Sequence, residues 1–137
     1  MSMVLEMPVM MTSEPARAQL LQKRLYAAYG DLFALLKQHY RFADEERVFA
    51  FLRQHSQLIP ILQEGRAAVS LIFGEATPIL LSVRRDPEVG LEHLIAWILT
   101  ELPAKEAVER ISELDDAWFG ERLETVGDLL NFNLGVL

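Results

Sequence analysis

The sequence contains no cysteine, and this absence excludes a disulfide framework, thiolate zinc sites and cysteine nucleophiles. Of the 137 residues, 51% are apolar, so the chain can build a hydrophobic core without any covalent cross-link. Because a cysteine-free chain fits a reducing compartment, we expect a cytoplasmic protein.

Long apolar runs are also absent. The longest, residues 69–81, is interrupted by glycine, glutamate, threonine and proline, and it is far shorter than the ~20 residues that cross a bilayer. Residues 1–11 are apolar but carry no Lys or Arg, whereas a signal peptide begins with a basic region. We therefore expect a soluble protein without a membrane partner.

Positive charge is scarce in the second half of the chain. Residues 69–137 contain thirteen acids and five bases, whereas residues 1–68 contain seven acids and eight bases. An acidic surface repels phosphate backbones, so we expect no nucleic-acid partner. The region from Glu101 to Asp128 is the most acidic, with nine acids and three bases, and could attract a basic partner.

The common fingerprints of catalysis and cofactor binding are missing. The sequence has no glycine-rich phosphate loop, no Gly-x-Ser-x-Gly elbow and no His-Glu-x-x-His motif. His39, His55 and His93 lie on three different predicted elements without ligand spacing. We therefore predict no catalytic residues, no metal and no cofactor.

Apolar residues at three- and four-residue steps predict helices in the first part of the chain. The first helix begins at Ser13 and continues for about seven turns to Tyr40, with a break at Gly30 as an alternative. Residues 41–43 are interpreted as a short joint, and Asp44 as the cap of the next helix.

A proline and a glycine are expected to interrupt or end the helices that follow. Pro60 predicts a kink there, or a helix that ends and restarts. Gly74 is a natural stop for the last helix of this region.

From Pro78 the apolar period changes from 3.6 to 2, which predicts strands. One strand leads into a turn at residues 86–88, and a second, apolar on both faces, covers residues 92–100. The short turn favours an antiparallel hairpin. A helix follows from Pro103, ending at Gly120 or Gly127, and residues 129–136 form a third strand. The apolar stripe expected on this helix is Ala104, Ala107, Val108, Ile111, Leu114 and Trp118.

This order of elements predicts an α+β fold: N-terminal helices followed by a β-β-α-β unit with a small, mainly antiparallel sheet. We expect residues 1–137 to form a single α+β domain. Residues 1–12, rich in methionine, are interpreted as a disordered or swapped arm that could pack on a neighbour. Whether residues 1–43 belong to the domain or are an added arm stays open.

Residues 44–137 share a series of motifs with a known group of proteins. The motifs are Leu-Ile-Pro at 58–60, Asp-Pro-Glu at 86–88, Glu-Ala at 106–107, Asp-Asp-Ala-Trp-Phe at 115–119 and a glycine at 127. In their order and spacing they resemble a family of small uncharacterised bacterial proteins that is common among cyanobacteria. The chain departs from that family at Leu102, where a Ser or Asn cap is usual, and at Phe119, where Trp is usual. The resemblance implies an architecture and no activity.

Two groups of residues are candidates for a ligand or partner site. Asp86 and Glu88 could form a carboxylate site, although Asp-Pro-Glu is also an ordinary turn. Acids adjoin aromatics near position 118, where a tryptophan could anchor a partner or close the core. The candidate residues are Asp86, Glu88, Asp115, Asp116, Trp118 and Phe119.

The sequence favours a non-catalytic protein–protein interaction module, binding a protein partner, associating with itself, or both. One version of this hypothesis is the partner or antitoxin-like half of a gene pair. The alternative is a small-molecule-binding protein or weakly marked hydrolase, with a carboxylate site near Asp86 and Asp115.

Overall fold

The structure is a computed structural model that describes residues 14–136, and it forms two compact units that divide after Ala34. Helix α1 (Glu14–His39) runs through this division as one continuous helix of 26 residues. Gly30 does not break it, so the alternative of two helical pieces is excluded. The predicted cap Ser13 and the arm of residues 1–12 lie outside the described residues.

The second unit contains the strands and the remaining helices, so the fold class is α+β as expected. Its elements are, in chain order, β1 (Arg41–Ala43), α2 (Glu45–Gln54), α3 (Leu58–Phe73), β2 (Ile79–Arg85), β3 (Glu92–Thr100), α4 (Ala104–Ala117), a 3₁₀ turn (Phe119–Arg122), α5 (Leu123–Val126) and β4 (Leu130–Val136).

The four strands form one sheet in the order β1-β2-β3-β4. The hairpin of β2 and β3 is antiparallel as predicted, with Leu81 opposite Ala96. However, β1 is parallel to β2 and β4 is parallel to β3, so the expectation of a mainly antiparallel sheet is wrong. The physical reason is that both outer pairs are joined by helical crossovers, which return the chain in the same direction.

Strand β1 is a second correction to the sequence interpretation. Residues 41–43 were expected to be a joint, yet they pair with β2 from Arg41↔Leu80 to Ala43↔Ser82. Three residues are too few to show an alternating pattern, so periodicity does not detect such a strand.

Most of the predicted helix boundaries are confirmed. Asp44 caps α2, and its side chain accepts a hydrogen bond from the Arg47 backbone N–H at 3.3 Å. Pro60 lies in the first turn of α3, so the chain ends one helix and restarts another before this proline. Gly74 ends α3 with a φ of 111°, a backbone conformation that favours glycine.

The core lies against one face of the sheet. Leu81, Ala96 and Phe132 occupy one row across β2, β3 and β4, and all three are buried. Helix α3 approaches this face at Gly65, where an added Cβ would lie 2.9 Å from Phe132 Cζ and 3.0 Å from Trp118 Cη2. The missing side chain therefore lets the helix pack directly on aromatic rings.

Helix α4 departs from its predicted stripe. Ala107, Leu114 and Trp118 are buried as expected, but Val108 is 55% exposed. Arg110, which lies outside the expected stripe, is partly exposed and donates a hydrogen bond to the Ile72 carbonyl at the end of α3. The predicted stripe is therefore partly wrong, because packing against other elements decides which residues of α4 are buried.

No helix within residues 14–136 is both long and apolar enough to span a bilayer.

Two glycines inside helices provide a matched test of the α3 packing. Gly65→Ala should destabilise the protein by about 1–3 kcal/mol, because the new methyl overlaps aromatic rings that are already packed. Gly30→Ala has nothing within 4 Å of the added Cβ, so it should be neutral or stabilising by up to about 1 kcal/mol. Urea unfolding followed by circular dichroism measures both values. Equal effects at the two positions would contradict the proposed packing.

Candidate functional site

Four chain segments meet at one end of the sheet and border an open cleft. They are the end of α2, the turn between β2 and β3, the 3₁₀ turn with α5, and the start of β4. The cleft has a volume of about 860 Å³. Its wall includes Asp86 and Phe119, two of the residues predicted from the sequence, together with Asp128.

The Asp86 carboxylate is occupied within its own turn. Its Oδ1 accepts hydrogen bonds from the backbone N–H groups of Glu88 at 2.8 Å and Val89 at 3.4 Å. The backbone closes the turn, since the Gly90 N–H donates to the Asp86 carbonyl at 2.7 Å. Gly90 itself has a φ of 73°. The interpretation of Asp-Pro-Glu as a turn is confirmed. Glu88 is exposed and does not line the cleft.

The cleft also brings together two histidines that lie far apart in the sequence. His55 follows α2, and its ring lies tilted by 46° against Phe51 with the ring centroids 4.5 Å apart, while His93 lies at the start of β3. Both line the cleft. Within the described part of the chain, no group of three or more His, Asp or Glu side chains could hold a metal ion. The histidines thus give the cleft polar walls without forming a ligand cage.

A second concave surface lies between α3 and α4, and we call it the α3–α4 groove. Its volume is about 560 Å³. Leu71 projects from α3 into solvent with 88% of its surface exposed. The groove is lined by Glu64, Ala67, Ala68, Leu71, Ile72, Glu113, Ala117, Trp118 and Arg122.

One end of the α3–α4 groove is closed by a polar cluster around Glu64. Glu64 Oε1 accepts hydrogen bonds from Trp118 Nε1 at 3.2 Å and from Arg122 Nη2 at 2.9 Å. The Arg122 guanidinium also lies 5.2 Å from the Trp118 ring centroid and donates to the Trp118 carbonyl. The cluster therefore fixes the orientation of the indole at the edge of the groove.

These contacts lower the pKa of Glu64. The hydrogen bond from Arg122 is the largest cause and the one from Trp118 the next, because both favour the ionised carboxylate. The Glu64 carboxylate therefore stays charged at pH values where an isolated glutamate is partly protonated.

The structure separates the site residues that the sequence had grouped near position 118. Trp118 is buried against Phe132, with ring centroids 5.4 Å apart, and only its edge reaches the groove. Phe119 is buried and borders the cleft instead. Asp115 and Asp116 are exposed at the end of α4 and line neither surface. Asp86 and Asp115 consequently do not share a pocket.

Asp115 differs from Glu64 in the sign of its pKa shift. Partial burial raises the pKa of Asp115, and repulsion from the neighbouring Asp116 raises it further. The Arg122 guanidinium beside Glu64 has the opposite effect, because a cation favours the ionised carboxylate.

Sequence reasoning missed the residues that form the α3–α4 groove. Glu64 and Arg122 are 58 positions apart, so no local pattern connects them. Leu71 did carry a signal, because it is an apolar residue outside the buried stripe of its helix.

Comparison with known proteins finds no match: no family model, no curated protein and no solved structure is similar to this chain. The resemblance to the cyanobacterial-type family stays an expectation from its motifs.

The Glu64 cluster predicts a pH titration that the indole of Trp118 reports. Because the pKa of Glu64 is lowered, the stabilisation that its ionised carboxylate provides is present at neutral pH. This stabilisation is lost as the pH falls through a value below the ordinary 4.5. The Trp118 indole N–H resonance should therefore shift with a midpoint below 4.5, measured by ¹H–¹⁵N NMR. The Glu64→Gln variant should lack this transition. A midpoint above 4.5, or the same transition in the variant, would contradict the described contacts.

Proposed function

We propose that the protein is a protein–protein interaction module whose α3–α4 groove binds a basic amphipathic helix. The observation that carries the proposal is the exposed Leu71 over an apolar floor with an acidic border. Apolar surfaces with polar rims are typical of protein-binding sites.

The floor of the α3–α4 groove suits the close approach of a helix. Ala67 and Ala68 on α3 and Ala117 on α4 are small, so a third helix could lie between the two. Leu71 and the edge of Trp118 would contact apolar residues of that helix at i, i+3, i+4 and i+7 spacing. Full burial of one leucine contributes about 1.5–3 kcal/mol, which gives Leu71 the role of an anchor.

The charge around the groove favours a basic partner. Glu109, Glu113 and Asp116 are exposed on α4 and follow one another at helical spacing of four and three residues. Lys105 begins the same row one turn before Glu109, while Arg110 pairs with Glu106 at 3.2 Å and Arg122 pairs with Glu64. The charge available to a partner on this side is therefore acidic, which would steer a basic helix toward the groove.

A setting for such a module is the partner or antitoxin-like half of a gene pair, as the sequence suggested. A basic protein product from an adjacent gene would match the chemistry of the groove.

The alternative function, a small-molecule-binding protein or weakly marked hydrolase, is favoured by a different observation. The cleft at the sheet end places His55, His93 and Asp128 around one cavity with Phe119. The version of this hypothesis built on Asp86 and Asp115 loses its geometric basis, since these carboxylates do not line a common cavity. A ligand of this cleft would instead contact the two imidazoles.

The groove proposal predicts selective binding of a designed peptide. A helical peptide with leucines on one face and lysines on the other should bind, and the same peptide with glutamates replacing the lysines should not. Leu71→Ser should weaken binding at least about tenfold, corresponding to the lost burial of a leucine. Isothermal titration calorimetry measures these affinities.

The matched control is Leu91→Ser, which changes another exposed leucine, 69% accessible, in the turn beside the sheet-end cleft. This variant should bind the basic peptide like the unmodified protein. Equal binding of the basic and acidic peptides, or equal effects of the two serine variants, would contradict the proposal.

A further inference from the structure

We infer that the sheet-end cleft binds a short zwitterionic ligand of the dipeptide class, with its carboxylate at Arg85, its amino group at Asp128 and apolar side chains between them. The inference rests on the alternative function proposed for this cleft and names its ligand. It is independent of the α3–α4 groove, because the two surfaces share no lining residue.

The sheet-end cleft concentrates exposed apolar side chains along its walls. Val89 and Leu91 in the β2–β3 turn are 65% and 69% exposed, and Leu123 at the start of α5 is 52% exposed. All three line the cleft, together with the buried Phe51 and Leu130. Exposed apolar residues that border one concavity are typical of a binding site. The cleft volume of about 860 Å³ also lies within the range of roughly 300–1,000 Å³ that is usual for small-molecule sites.

The charged side chains that line the cleft divide into two with partners and two without. Glu92 Oε2 accepts a hydrogen bond from Arg47 Nη2 at 2.9 Å, and the Asp86 carboxylate accepts from the N–H groups of its own turn. The side chains of Arg85 and Asp128 form no ion pair and no hydrogen bond within the described part of the chain. One cation and one anion are therefore available to a ligand.

The sheet places these two available charges on different sides of the cleft. Arg85 ends β2, whereas Asp128 lies two residues before the first residue of β4. Strand β3 separates β2 from β4, and neighbouring strands lie about 4.8 Å apart, so the two sides are about 10 Å apart. A dipeptide in extended conformation spans about 7 Å, and the flexible Arg85 side chain can cover the remaining distance.

The pair of opposite charges selects a zwitterion over simpler ligands. A carboxylic acid without an amino group would leave the Asp128 carboxylate unmatched, and an amine without a carboxylate would leave the Arg85 guanidinium unmatched. A ligand with both groups satisfies both side chains through charge-assisted hydrogen bonds.

The neutral polar residues of the cleft favour a peptide unit between the two charged ends. Gln54 and Asn131 line the cleft, and their side chains form no hydrogen bond within the part of the chain that the structure describes. A carboxamide both donates and accepts, which matches the N–H and C=O groups of a peptide bond. His55 and His93 add ring nitrogens to the same walls.

Dipeptides with blocked ends test the proposal. The probes are leucyl-leucine, its N-acetyl derivative and its C-amide derivative, and each derivative lacks one of the two charges. The unmodified protein should bind leucyl-leucine, and each derivative should bind at least about threefold more weakly, because one charge-assisted contact is lost. Titration followed by ¹H–¹⁵N NMR measures the dissociation constants. The amide resonances of Gly90 and Gly127, which line the cleft from two different segments, should shift.

Two variants assign each charge of the ligand to one side of the cleft. Arg85→Gln should weaken the binding of leucyl-leucine and abolish the preference for the free carboxylate over the C-amide, while the preference for the free amino group remains. Asp128→Asn should abolish only the preference for the free amino group. General destabilisation of the protein would not produce this crossed pattern.

Matched controls use residues outside the cleft. Arg84→Gln removes the neighbouring guanidinium, and Asp116→Asn removes an exposed carboxylate of α4; neither residue lines the cleft. Both variants should retain both preferences. Leu91→Ser should weaken the binding of leucyl-leucine, whereas Leu71→Ser should not, because only Leu91 lines this cleft.

Three outcomes would overturn the proposal. They are no binding of leucyl-leucine at millimolar concentration, equal affinities for the three probes, and preferences that Arg85→Gln and Asp128→Asn both leave intact. Binding of the basic helical peptide is a separate measurement, because it depends on Leu71 rather than on the cleft. Failure of either proposal therefore leaves the other testable on its own.

Discussion

The structure depends on one close contact, the packing of helix α3 on aromatic rings at Gly65. The position of a missing Cβ there is 2.9 Å from Phe132, 3.0 Å from Trp118 and 3.2 Å from the Tyr40 hydroxyl. Phe132 belongs to β4, Trp118 follows α4, and Tyr40 precedes β1. A single glycine therefore allows four parts of the second unit to meet, because any side chain would hold them apart. Tyr40 also donates to the Leu62 carbonyl of α3, and its burial raises the pKa of the phenol.

This contact also accounts for the surface beside it. Glu64 precedes Gly65 on α3 and is exposed, and its carboxylate meets the Trp118 indole and Arg122. Trp118 thereby joins the core to the α3–α4 groove, with its ring against Phe132 and its N–H on a surface carboxylate. An amphipathic aromatic residue commonly has both roles, because its ring is apolar and its nitrogen needs an acceptor. The core position of Trp118 that the sequence suggested is confirmed, and the binding edge stays a prediction.

Local chemistry made a large part of the fold predictable. The β2–β3 hairpin followed from alternating apolar residues and from the Asp86 turn, and Asp44 and Gly74 marked helix ends. The parallel pairing of β1 with β2 and of β4 with β3 could not be predicted, because strand direction depends on where helical crossovers return the chain. Val108 was misassigned for a related reason: its exposure depends on how α4 packs on α3, which the pattern of apolar residues in one helix does not specify.

The sequence by itself determined which elements exist, where several of them begin and end, and which common catalytic motifs the chain does not carry. These properties depend on residues within a few positions of one another, so backbone preference and periodicity report them. The tertiary structure alone decided which residues share a surface. It separated Asp86 from Asp115, brought His55 and His93 to one cleft, and joined Glu64 to Arg122 across 58 positions. Contacts between distant residues depend on packing in three dimensions, and packing follows from the whole set of buried side chains rather than from any one segment.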